Sequence, residues 1–196
     1  AVSSATITYA AAAAAASTLA DATSTSIIGT GAIANSAQTV DSATVTAPMA
    51  AGTQAATIYV TQKSAITTAV PNESMTVTIS GPGILGAGAS HTEAASGRSL
   101  LVKNGHYITV WPDNTSGEAT ITIVASTSGV TLGVEKVTFF DTTPSSASVT
   151  VNKAHILAGT GSVTGVFTVK VLDKSGNAVT AVSALTAAAV DTTTVV

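Results

Sequence analysis

Few side chains in this sequence have the type and spacing that chemistry requires. The run Gly81-Pro82-Gly83-Ile84-Leu85-Gly86 fits G-x-G-x-x-G and comes after an alternating apolar stretch, as a dinucleotide-binding turn would. Such a turn must open a helix whose N-terminus faces a pyrophosphate. The next residues, Ala87-Gly88-Ala89-Ser90-His91-Thr92, carry no helical pattern and no βαβ unit surrounds them, so the run reads as a glycine turn. The three histidines, His91, His106 and His155, lack metal-ligand spacing. The acids are scattered without an acid–base pair, and no serine sits in a G-x-S-x-G elbow. Asp113, Asn114 and Glu118 share one loop and Asp141 lies at another turn, where oxygen ligands can hold a structural Ca2+ ion. The EF-hand pattern is absent, and Asp and Asn are ordinary turn formers. Asn72-Glu73-Ser74 and Asn114-Thr115-Ser116 are sequons in predicted loops, which makes Asn72 and Asn114 candidate N-glycosylation sites. The expectation is a chain with no catalytic residue, and no cofactor beyond a structural Ca2+ ion.

The elements that hold these groups read as strands. From Gly117 to Val124, Ala119, Ile121 and Ile123 point one way and Glu118, Thr120 and Thr122 the other. Turn residues bracket this run, and Val134 to Phe140 comes next with Val137 and Phe139 on one face. Residues 75–80 alternate as cleanly, with Met75, Val77 and Ile79 inward, and residues 4–9, 39–46, 55–62, 163–172 and 178–185 read likewise. Ala10 to Ala16 has the highest helix propensity, but seven residues are too few for an autonomous helix. Residues 86–97 are small and polar and read as an exposed loop. Leu100 to Val102 and His106 to Trp111 are expected to form a hairpin across Lys103-Asn104-Gly105. Tyr107, Thr109 and Trp111 share a strand face, which predicts that the single Trp packs into the core.

Composition narrows the function classes. Hydrophobic residues make up 45% of the 196, enough for a packed core, while charged residues are only 9%, far below the usual quarter. A net charge of −3 and a single arginine, Arg98, argue against nucleic acid as partner. Apolar runs are too short for membrane insertion of this segment. Without cysteine there are no disulfides and no thiolate metal sites. Aromatics are 4% and spread along the chain, whereas a carbohydrate-binding module would gather them. The N-terminus has no initiating Met and no basic region, so a signal peptide has been removed or the chain is an excerpt. Ser145 to Val151 matches Ser3 to Tyr9 at an offset of 145 − 3 = 142 residues, and Asp141-Thr142-Thr143-Pro144 reads as a boundary. This divides the chain into a β domain over 1–141, Ala-rich at its start, and a second over 142–196 that is too short to be complete.

Phe167 to Val179, with Val169, Val171, Asp173, Gly176, Asn177 and Val179 in a V-x-V-x-D-x-x-G-N-x-V pattern, resembles bacterial immunoglobulin-like repeats of the invasin/intimin type. Residues 80–85 and 117–123 resemble segments of the same tandem surface repeats, and together these stretches cover about a third of the chain. The resemblance implies an all-β protein of immunoglobulin-like antiparallel β-sandwich domains in tandem. It further implies a non-enzymatic, extracellular segment of a cell-surface protein, either an S-layer component or an adhesin stalk, associating with neighbouring subunits or repeats. The alternatives are a filament subunit assembled by β-strand exchange, a virion decoration domain, or a carbohydrate-binding or accessory region of a secreted enzyme.

Overall fold

The computed structural model describes residues 19–33, 41–42, 44–65, 71–153 and 164–179. They form eleven strands and, among the described residues, no helix: β1 (Thr25–Thr30), β2 (Val45–Pro48), β3 (Ala56–Thr61), β4 (Met75–Ser80), β5 (Ile84–Gly88), β6 (Ser99–Val102), β7 (Tyr107–Trp111), β8 (Gly117–Ala125), β9 (Thr131–Phe140), β10 (Ser146–Val151) and β11 (Phe167–Leu172). The protein is all-β.

Alternation decides which face of each strand is buried. In β4, Met75, Val77 and Ile79 are buried while Thr76, Thr78 and Ser80 are exposed. In β8, Ala119, Ile121 and Ile123 are fully buried. β1 to β9 build two sheets, one ordered β1-β3-β7-β5 and the other β2-β9-β8-β4-β6. Ile28, Ile58, Val60, Ile108 and Val110 from the first meet Val45, Val77, Ile121, Val137 and Phe139 from the second in one continuous core. Both layers thereby remove their apolar faces from water.

Between Ala20 and Asp141 the described chain starts at one pole of this unit and ends at the other. Met75 pairs with Ala125 at one pole of the five-stranded sheet, and Gly117 pairs with Phe139 at the other. Ala20 lies at the first pole, where its N–H donates to Glu73. Asp141 leaves at the second, directly after β9, whose ten residues span roughly 33 Å.

β10 and β11 form a separate antiparallel pair. Its register puts Ala147, Val149, Val151, Phe167, Val169 and Val171 on one face. On that face Val171 is 8% exposed, while Val149, Val151 and Phe167 are 60%, 65% and 50% exposed.

Several expectations need correction. The pairing is not wholly antiparallel: β2 runs parallel to β9, and no tight turn joins the two to dictate their direction. β2 is a short edge strand ending in Pro48, a residue that edges tolerate. β6 and β7 form no hairpin. β6 pairs with β4 and β7 with β3 and β5, so residues 103–106 bridge the two layers. The Asn-Gly pair supplies a turn, with Gly105 at φ 78, but does not choose the strand's partner. Asn104 Nδ2 instead donates to Pro71 O at 3.0 Å and ties the turn to another segment. Trp111 does share a face with Tyr107 and Thr109, but that face points away from the core, which takes Ile108 and Val110. Part of the expected 86–97 loop is β5. The strand at 4–9, the alanine run at 10–16, the earlier copy of the repeat at 3–9, His155 and nearly all of the 178–185 strand lie outside the described residues.

Candidate functional site

β3 and β7 present Thr57, Tyr59, Tyr107, Thr109 and Trp111 on the outer face of the four-stranded sheet, with Thr57 opposite Thr109. The rings of Tyr59 and Tyr107 lie 5.3 Å apart, and His91 meets Tyr107 edge-on at 6.0 Å. Three of the chain's seven aromatics, Tyr59, Tyr107 and Trp111, lie on this face, while Phe139 is in the core and Phe167 on the hairpin. The 89–97 loop straps this face down. Glu93 O accepts from Thr109 Oγ1 at 2.8 Å and from Trp111 Nε1 at 2.9 Å, and His91 O accepts from Gln54 Nε2 at 2.9 Å. The strap lies so close that a Cβ on Gly86 would sit 2.2 Å from Ala94 O. Tyr107 is buried and Tyr59 and Trp111 are half-buried beneath it, with His91 half-buried in the strap, so this face packs a loop.

Three carboxylates that sequence reasoning passed over are the most constrained charged groups among the described residues. Glu73 Oε1 accepts the Ala20 N–H, and its Oε2 accepts the N–H groups of Thr127 and Ser128 at 3.1 and 2.8 Å. Gln62 brackets its backbone, accepting from Glu73 N at 3.0 Å and donating to Glu73 O at 2.8 Å. Burial pushes the Glu73 carboxyl up, but the amides of Ala20, Ser128 and Thr127 outweigh it and hold the group below its ordinary range. Asp173, 2% exposed, behaves alike: burial pushes it up and the amides of Asp141, Asn177 and Ser175 bring it below the usual value. Glu135 goes the other way. Burial raises its carboxyl, the Ser26 hydroxyl that donates to it lowers it, and the charge of Asp41 raises it further. The alternation could have found all three. Glu73 continues the inward series Met75, Val77, Ile79; Glu135 precedes Val137 and Phe139; Asp173 comes after Val169 and Val171.

The sequence candidates are scattered. The glycine run 81–86 makes the β4–β5 turn at residues 81–83, with Gly81 and Gly83 at φ 82 and 102, and its last three residues already belong to β5. Arg98 clasps it, donating to Gly83 O at 2.6 Å and also to Gly81 O and Ile79 O, with Asp113 at 3.6 Å. His106 caps the 103–106 turn through its backbone, far in sequence from His91 on the strapped face. Asp113 accepts from Thr115 N, Glu118 pairs with Lys136 at 2.7 Å, and Asp141 accepts from Thr143 N, each separately occupied. Among the described residues no three His, Cys, Asp or Glu side chains group to hold a metal ion. Nor does any helix there have the length and apolarity to cross a membrane.

The two sequons differ in setting. Asn72 is exposed between Pro71 and Glu73, both buried. Asn114 is exposed at φ 67, its Oδ1 accepts from Ala51 N at 3.0 Å, and the Ser116 hydroxyl meets that of Ser175 at 2.6 Å. A cleft of about 400 Å3 opens between the ends of β1 and β2, lined by Thr30, Ala47, Pro48, Ala51 and Gln54. Gln54 Oε1 is buried and lacks a hydrogen-bond partner. The chain matches no protein-family model, and neither a curated protein nor a solved structure matches it.

Proposed function

We propose that the chain is a non-enzymatic structural segment of an extracellular cell-surface protein, an S-layer component or adhesin stalk built of immunoglobulin-like units in tandem. The observation that carries this reading is the route of the chain. The described chain starts at one pole of the two-sheet unit, leaves at the other, and continues into a second β element whose apolar face no described residue covers at Val149, Val151 and Phe167. Units joined end to end need that route, and an apolar face in water needs a cover. Neighbouring repeats or subunits supply it. The resemblance of residues 167–179 to surface repeats adds support, since those residues are β11 and the turn after it. Asn72 and Asn114 are sites that glycosylation of such a surface would use.

A filament subunit assembled by strand exchange is the second reading. The same hairpin favours it, because two strands alone are marginal in water and gain most from an added strand. Gold-labelled antibody against the two-sheet unit, applied to intact cells of the source organism, tests the surface location. The expected result is regularly spaced label outside the envelope. Label that requires permeabilised cells would overturn it.

A further inference from the structure

We propose that Asp173 is the lock that fixes the β10–β11 hairpin on the two-sheet unit in one orientation, and that protonating its carboxylate releases the joint. The inference rests on the tandem reading above and deepens it, since a locked joint sets the angle between successive units.

Both carboxylate oxygens are fully occupied. Oδ1 accepts the N–H groups of Ser175 and Asn177, each at 2.8 Å, which folds residues 173–177 into a tight turn. Oδ2 accepts the N–H of Asp141 at 3.0 Å, the first residue after β9, and Asn177 Nδ2 at 3.4 Å. Asn177 Nδ2 also lies 3.4 Å from Phe139 O, at the end of β9, and Ser175 Oγ reaches Ser116 Oγ at 2.6 Å, just before β8. One five-residue turn thus grips two segments of the two-sheet unit. The connection between them is held as well, since Ser145 N donates to Leu172 O. Val171 and Val179 are buried beside the turn.

No position is left for a proton. A hydrogen on either oxygen would face N–H donors, and at least one donor would lose its acceptor where water is excluded. Among the described residues no cation shares the charge: Lys174 and Lys170 are exposed and form no ion pair there, and the Asp141 carboxylate turns to Thr143 N at 2.8 Å. The depressed titration of Asp173 agrees with this geometry.

The test is a distance measurement on the whole chain. It contains no cysteine, so spin labels can be placed on cysteines introduced at Thr78 of β4 and Ser148 of β10, both exposed. Double electron–electron resonance at pH 7 should give one narrow distance peak. Asp173→Asn is selective: its carbonyl can still accept from Ser175 and Asn177, while its NH2 group replaces the oxygen that met the Asp141 N–H. The narrow peak should be lost in this variant and kept in Ser175→Ala. Acidification through the lowered Asp173 pKa, well below the ordinary Asp value of about 4, should broaden the wild type but leave Asp173→Asn unchanged. A narrow peak in Asp173→Asn, or a broad one in the wild type at pH 7, overturns the lock. Should the variant unfold the hairpin, seen as lost amide dispersion, the wild-type titration decides alone. Failure of the surface location leaves this measurement standing, and failure of the lock leaves the tandem reading standing.

Discussion

The two-sheet unit and the β10–β11 hairpin are written in the same alternating pattern of Val, Ile, Ala, Thr and Ser, yet they end in opposite states. In β8 the inward residues Ala119, Ile121 and Ile123 are 0% exposed. In the hairpin the matching positions Val149, Val151 and Phe167 stand at least half in solvent. The difference lies in the second layer, which β1, β3, β5 and β7 give to β8 and which the described residues do not give to the hairpin. A period of two states which face is to be covered. Coverage itself comes from elements distant in sequence.

One truncation in each region separates the two states. Phe139→Ala removes a fully buried ring packed over Gly83 and should cost about 3–5 kcal/mol in urea unfolding. Phe167→Ala, at half exposure, should cost under about 1 kcal/mol and should reduce self-association in sedimentation. Equal costs would mean that the hairpin is as enclosed as the core.

Next in size is Glu73→Gln, which keeps the shape but removes the charge from three amide hydrogen bonds. A loss of about 2–3 kcal/mol is expected. The folded-state pKa of Glu73 lies below its unfolded value, so the stabilisation is present above about pH 4 and is lost as pH falls through the lowered pKa. A denaturation series from pH 7 to 2 should therefore show a steep acid loss in the wild type and a shallower one in the variant.

These costs bear on what was legible in the sequence. Inner faces of β4, β8 and β9 come directly from alternation, because a strand's side chains cannot avoid it. Strand partners do not: residues 103–106 carry good turn chemistry whether β6 and β7 pair or separate into two layers. Trp111 shows the same limit at one residue, since parity groups it with Tyr107 and Thr109 without saying which side the second sheet occupies. Glu73, Glu135 and Asp173 were legible by position but not by type. A buried acid is tolerable only where amides or a hydroxyl converge on it, and those donors come from distant segments.

Smaller effects sharpen the contrast between core and strapped face. Trp111→Ala should cost about 1–2 kcal/mol, less than Phe139→Ala, because its ring is half-buried and its N–H bond to Glu93 O is the main loss. Proteolysis within residues 89–97 should quicken in that variant, and an unchanged cleavage rate would detach Trp111 from the strap. Smallest, and opposite in sign, is Glu135→Gln. The folded state raises this carboxyl, so its ionisation opposes folding as pH climbs through the raised value. The variant should melt slightly higher than the wild type at pH 7 and show no gain once Glu135 is protonated. A lower melting point at pH 7 would reverse that sign.

The carboxylates of Glu73 and Asp173 are held by neutral amides, and of the ion pairs of the described residues Lys136–Glu118 is largely exposed, while Arg98–Asp113 is 3.6 Å long with its Arg98 side chain nearly half in solvent. Mobile ions weaken attraction between opposite charges in solvent; they have little hold on a buried anion whose partners carry no net charge. A fold joined in this way is nearly blind to ionic strength. Its unfolding midpoint should shift little between dilute buffer and about 0.5 M NaCl, where the screening length has fallen to a few ångströms.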